Sequence, residues 1–179
     1  MERLVAELDG LPARPTEAGR VVLLVARGKE GERWAPSSVS VSPESGVWED
    51  RWARSRESGE ERWGKESYLE MQIAVMEAPV AELIANGQPW TLFGDNVFLD
   101  LDLSMENLPT GSRLRIGSAT FEVTPYAHDG CRKFNARFGP AALRFVSEKS
   151  RRNRNLRGIY LRALDPGQIT VGDKAERTS

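Results

Sequence analysis

With 179 residues the chain is long enough for one domain that buries most of the surface its unfolded form would expose, with no need of a disulfide or structural metal. Its 25 basic and 26 acidic side chains nearly cancel, which excludes a global pull toward nucleic acid or an anionic membrane and leaves any anion site to be local. A lone cysteine cannot form an internal disulfide, and neither a signal-type h-region nor a long apolar run occurs, so a cytoplasmic, unprocessed protein is expected.

Residues 1–19 carry a short amphipathic turn through Leu4, Val5, Leu8 and Leu11, then Pro12, Pro15 and Gly19, and read as an N-terminal extension that connects rather than packs. The apolar, β-branched run from Arg20 to Arg27 predicts a strand buried on both faces. Val39 and Val41 alternate with serines, which predicts a half-buried strand, and Gly46 opens a loop. Residues 48–66 hold Trp48, Trp52 and Trp63 among charges, with almost no aliphatic residue, and form a charged loop able to close over a flat ligand.

Further on, 69–76 predicts a strand, 79–86 a short helix stopped at Gly87, and 96–101 another strand. Strands at 113–116 and 119–124 are joined by Gly117 and Ser118 in a tight hairpin. Phe134, Phe138, Ala142 and Phe145 recur at helical spacing around Gly139 and Pro140, so two short helices are expected. Strands at 158–164 and 168–171 meet at the Asp165-Pro-Gly turn. Many short strands at this spacing predict a mostly β fold, a closed or nearly closed barrel with small helices, over a single domain at 1–179.

The segment from Gly59 to Glu66 has the Gly-x4-Gly-Lys spacing of a phosphate loop, but no buried strand precedes it and Glu66 stands where a hydroxyl should meet magnesium, so it reads as a solvated loop. His128 lies three residues before Cys131, a spacing open to a metal pair, to a base beside a nucleophile, or to a structural loop histidine. Cys131 has two readings of its own. It falls in line with Phe134 and Phe138 on one apolar helix face, yet it also opens a helix followed by Arg132, Lys133 and Arg137, where a helix N-terminus and cations stabilise a thiolate. The arginines between Arg144 and Arg162, Arg157 among them, form either a solvated surface or, facing Cys131, a pocket for a phosphorylated ligand.

The ordered set GDNVFLDLDLS at 94–104, NLP at 107–109, GSRLRIG at 111–117, HDGCRKF at 128–134, RFG at 137–139, RGI at 157–159 and GQITVGD at 167–173 resembles the MOSC domain family, over roughly residues 20–175. The resemblance implies a β barrel with a characteristic cysteine, here Cys131. It implies molybdenum cofactor (molybdopterin) as ligand, with Cys131 as a molybdenum ligand or sulfur acceptor, in molybdenum-dependent redox chemistry or as a sulfur carrier. Asp95, Asn96, His128, Lys133, Arg137 and Arg157 then become the expected cofactor-binding residues. A redox or sulfur-donor protein is the implied partner, and no pyridoxal phosphate is expected because the aminotransferase-like domain of full sulfurases is not in this chain. Residues 46–52 match the family's early loop only in part, and the surroundings of Cys131 are closer to the small stand-alone members. A non-catalytic binding module that retains the barrel is the alternative.

Overall fold

The computed structural model describes residues 1–53 and 69–178, and the Gly59–Glu66 segment lies outside them. Strand β1 (Ala18–Leu24) starts the barrel, pairing antiparallel with β12 (Lys174–Thr178) on one edge and β7 (Val97–Leu99) on the other. From β12 the sheet runs through β8 (Arg113–Ile116), β9 (Ala119–Val123), β10 (Ile159–Ala163) and β6 (Ile73–Glu77) back to β7, which closes it. Closure leaves no edge exposed along this sheet. Gly19 makes the start of β1 possible, since a Cβ there would lie 1.8 Å from the carbonyl oxygen of Asp100.

Only β6 and β7 run parallel among these pairs, and a parallel pair needs a crossover. Helix α2 (Ala78–Ala85) supplies it: Pro79 suits the helix start, and Asn86 in the left-handed region (φ 49°) ends it. A 3-10 turn at Trp90–Leu92 then feeds Phe93 to Asn96 into β7. Helix α3 (Arg132–Ser147) follows β9 and bends at Gly139 (φ 82°) with Pro140 behind it, as the sequence spacing anticipates.

A smaller sheet, β11-β4-β5, joins β11 (Gly167–Thr170), β4 (Ser38–Ser42) and β5 (Gly46–Val47), and β2 (Ala26–Arg27) forms a hairpin with β3 (Arg33–Trp34). Val39 and Val41 point inward while the serines of β4 point out. One apolar cluster fills the barrel around Leu24, Val75, Phe121 and Leu161; a second lies between barrel and helices around Met76, Phe98, Phe134 and Phe145.

Four local expectations are corrected. Helix α1 (Glu2–Asp9) buries Leu4 and Leu8 in the second cluster, so the N-terminal residues are core as well as connection. The run at 20–27 is split between β1 and β2, and Val22 is 41% exposed, because a barrel strand has an outer face. Gly46 lies within β5 rather than opening a loop. Residues 174–178 form β12, a strand missing from the sequence reading.

Candidate functional site

Cys131 is the N-cap residue of α3, extended at φ −111° and ψ 175°, and its carbonyl accepts the first helical hydrogen bond from Asn135 N at 2.9 Å. The loop before it can sit low on the helix because position 130 is glycine: a Cβ there would lie 2.5 Å from Leu143 Cδ1. The shared apolar face breaks at its first member. Phe134 is buried, with Phe138 stacked on Phe93 at 4.1 Å between ring centroids, whereas Cys131 is exposed.

The thiol faces a cavity of about 220 Å³ whose lining includes His128, Tyr160, Gly94, Met71 and Arg137. Beneath it, Arg157 donates from one nitrogen to both carboxylate oxygens of Asp95 at 2.9 and 2.7 Å, and its guanidinium lies 5.1 Å from the Phe134 ring centroid. Burial raises the Asp95 pKa above its ordinary value, against the opposing pull of Arg157 and then Arg27. His128 Nδ1 stands 3.5 Å from Asp95 Oδ1 without a hydrogen bond. Burial, then the charges of Arg157 and Arg27, hold the imidazole pKa well below its ordinary value, so it is neutral at physiological pH. Its ring lies 4.3 Å from that of Tyr160, whose hydroxyl is pushed up to about 12, chiefly by burial.

A second network frames the opposite wall. Asp50, 1% exposed, accepts from Arg27 Nε and Nη2 at 2.8 and 2.9 Å and from the backbone of Arg27 and Trp52. Asn96 donates to Asp50 Oδ2 at 3.0 Å and to the Val25 carbonyl at 3.3 Å, and accepts from Ala74 N at 3.2 Å. One amide thus ties the loop at residue 50 to β6 and to the segment joining β1 and β2. Arg33 and Arg51 complete the cavity's cationic rim.

The sequence-predicted residues are therefore placed at two depths. Cys131, His128, Lys133, Arg137 and Arg157 line the cavity; Asp95 and Asn96 are buried behind it and touch Arg157 and Asp50. Of the basic side chains in the segment 144–162, Arg157 alone lines this cavity, whereas Arg162 pairs with Glu122 at 2.6 Å and Arg151 lies over Phe145. Arg27, Arg33, Arg51 and Tyr160 were not anticipated as site residues, because nothing in their spacing links them to Cys131.

The family model described as "MOSC domain" matches residues 48–176. Among solved structures, the chain is similar to the YUAD protein from Bacillus subtilis, with TM-score 0.62 and 16% identity, covering 89% of this chain and 95% of that one. It is also similar to YiiM from Geobacillus stearothermophilus (TM-score 0.59, 16% identity, 90% and 75% covered) and YiiM from Escherichia coli (0.56, 18%, 89% and 70%). No curated protein matches the chain. At these identities the structural likeness concerns the fold, a closed seven-stranded barrel, and with the family match spanning most of the sequence the chain belongs to the MOSC domain family.

Proposed function

We propose that this protein binds molybdenum cofactor in the Cys131 cavity, with the Cys131 sulfur as a molybdenum ligand, and acts in molybdenum-dependent redox chemistry or as a sulfur carrier. The observation that carries this reading is the lining of one cavity by an exposed thiol and by Lys133, Arg137 and Arg157. A thiolate is a soft ligand suited to molybdenum, and cationic side chains suit the phosphate of a pterin cofactor. Among the described residues no three His, Cys, Asp or Glu side chains gather to hold an ion; a dithiolene-bound metal would bring its other ligands with it. When bound, the cofactor would supply two-electron and oxygen- or sulfur-transfer chemistry at the metal.

In this reading each predicted residue has a task set by its depth. Lys133 and Arg137 meet the anionic end of the ligand, and His128 offers a neutral imidazole at the wall. Asp95 and Asn96 act one layer back: Asp95 fixes the Arg157 guanidinium, and Asn96 fixes Asp50 and through it Arg27. The test is protection of the thiol. Protein loaded with free molybdenum cofactor should resist alkylation of Cys131 by iodoacetamide, and equal alkylation with and without cofactor would overturn the ligand role.

A further inference from the structure

The Cys131 cavity has a neighbour. The hairpin of β2 and β3 closes a second cavity of about 300 Å³, bounded by Lys29, Glu30, Gly31 and Glu32 on the hairpin and by Ala136 on α3. Arg27, Arg33, Arg51, Lys133 and Arg137 line both cavities and form their common wall. Two members of that wall, Arg27 and Arg33, precede the residues matched by the family model.

Among the described residues the charges of this wall are not balanced. Arg27 has Asp50 and Lys133 has Glu30 at 3.3 Å, and Glu32 turns back to accept from the Lys29 backbone at 3.0 Å. Arg33, Arg51 and Arg137 have no carboxylate partner among the described residues; Arg137 donates to the Leu92 carbonyl at 2.6 Å and Arg33 to the Gly31 carbonyl at 3.2 Å. Arg33 Nε is buried without a hydrogen-bond partner. Burial, followed by the repulsion of Arg137, Arg27 and Arg51, depresses the Arg33 pKa. In a chain of balanced charge, such a repulsive cluster is relieved by a bound anion, whose oxygens also meet the orphan donor.

Donor number selects the anion. A phosphate monoester offers three acceptor oxygens, whereas three guanidinium groups without a carboxylate partner, on the hairpin, at residue 51 and on α3, present more N–H donors than these can take and match the larger oxygen set of a diphosphate. We propose that the cleft between the β2–β3 hairpin and α3 is an oxyanion subsite for a diphosphate group, contiguous with the Cys131 cavity. The diphosphate could belong to a nucleotide-extended form of the cofactor or to a nucleotide substrate beside it. The proposal rests on the cofactor reading only for the identity of the ligand, not for the existence of the subsite.

The test is calorimetric titration of the full chain with inorganic pyrophosphate. Saturable binding is expected, tighter than for orthophosphate and weakened by salt. Arg33→Ala and Arg51→Ala should each weaken it about tenfold, the loss of one charge-assisted contact. Arg51 is exposed, so its variant should fold normally, and Lys174→Ala, on the far barrel strand, should have no effect. Binding of guanosine or cytidine diphosphate tighter than that of pyrophosphate would support a nucleotide ligand; equal binding would support recognition of the diphosphate alone. Cys131→Ala should bind pyrophosphate unchanged, so the subsite can stand even where the cofactor reading fails. Absence of saturable binding, orthophosphate binding as tightly, or indifference to Arg33→Ala and Arg51→Ala would overturn the proposal.

Discussion

Cys131 and Asp95 mark the two kinds of side chain at this site, one presented to ligand and one holding the frame. Cys131 is exposed and its side chain caps nothing, so Cys131→Ala should change unfolding stability by no more than about 0.5 kcal/mol, measured by urea denaturation. Cys131→Ser should be equally stable and equally unable to ligate molybdenum, because a hydroxyl is a harder ligand and far less readily ionised. Asp95 is the opposite case. It is fully buried against Arg157, and Asp95→Asn strands a buried guanidinium, so a loss of about 3 kcal/mol is expected in the same measurement. A stability unchanged by Asp95→Asn would mean that the pair does not hold the cavity floor.

Glu77 sits where β6 passes into α2, and it fastens the N-terminal segment to the barrel through Arg14 Nε at 2.6 Å while facing Leu103 N at 3.4 Å. Burial is the main cause that raises its pKa from 4.5 to about 7; Arg14 opposes the shift, Asp102 adds to it, and Arg154 opposes it. Its folded pKa exceeds the unfolded one, so the native state holds more protons between those values and stability falls as pH rises from about 4.5 to 7. The span corresponds to about 3 kcal/mol. His128, held neutral, contributes a slope of opposite sign below 6.5, which comparison with a variant subtracts. The stability of Glu77→Gln relative to the parent should therefore increase from pH 5 to 8; a flat difference would contradict this. Gly158, which immediately precedes β10 at φ 103° with a Cβ position 2.1 Å from the Val75 carbonyl oxygen, should not tolerate a side chain. Gly158→Ala should cost about 3 kcal/mol in denaturant unfolding.

These elements also explain what could be read in advance. The β8–β9 hairpin was legible because apolar residues alternate on both sides of a Gly-Ser turn, and α3 because its phenylalanines keep helical period through the Gly139 bend. Strand β12 was not, since in Lys174–Thr178 only Ala175 is buried and the strand is held by backbone pairing to β1 and β8. Helix α1 was underestimated because its two buried leucines sit among charges and find their partners only in the second cluster.

Taken over the whole molecule, barrel closure gathers the site from distant stretches of sequence. The crossover through α2 delivers Gly94 to Asn96, the β9–α3 loop delivers His128 to Cys131, and the β2–β3 hairpin brings Arg27 and Arg33 to face them. The cysteine side of the site was legible as contiguous motifs, whereas the cationic wall of Arg27, Arg33 and Arg51 was not, because those arginines precede Cys131 by 80 residues or more and share no spacing with it. Within the expected charged loop at 48–66, Trp48 is exposed whereas Asp50 and Ala53 are buried; the stretch from 54 to 66 lies outside the described residues.

The measurement closest to the central claim is the molybdenum and pterin content of the full chain purified from a host that synthesises the cofactor, alongside Cys131→Ala prepared in the same way. Molybdenum and pterin are expected in matching amounts in the parent protein, with loss of molybdenum from a variant that unfolds at the same urea concentration. Equal molybdenum in both proteins, or none in the parent, would contradict the claim.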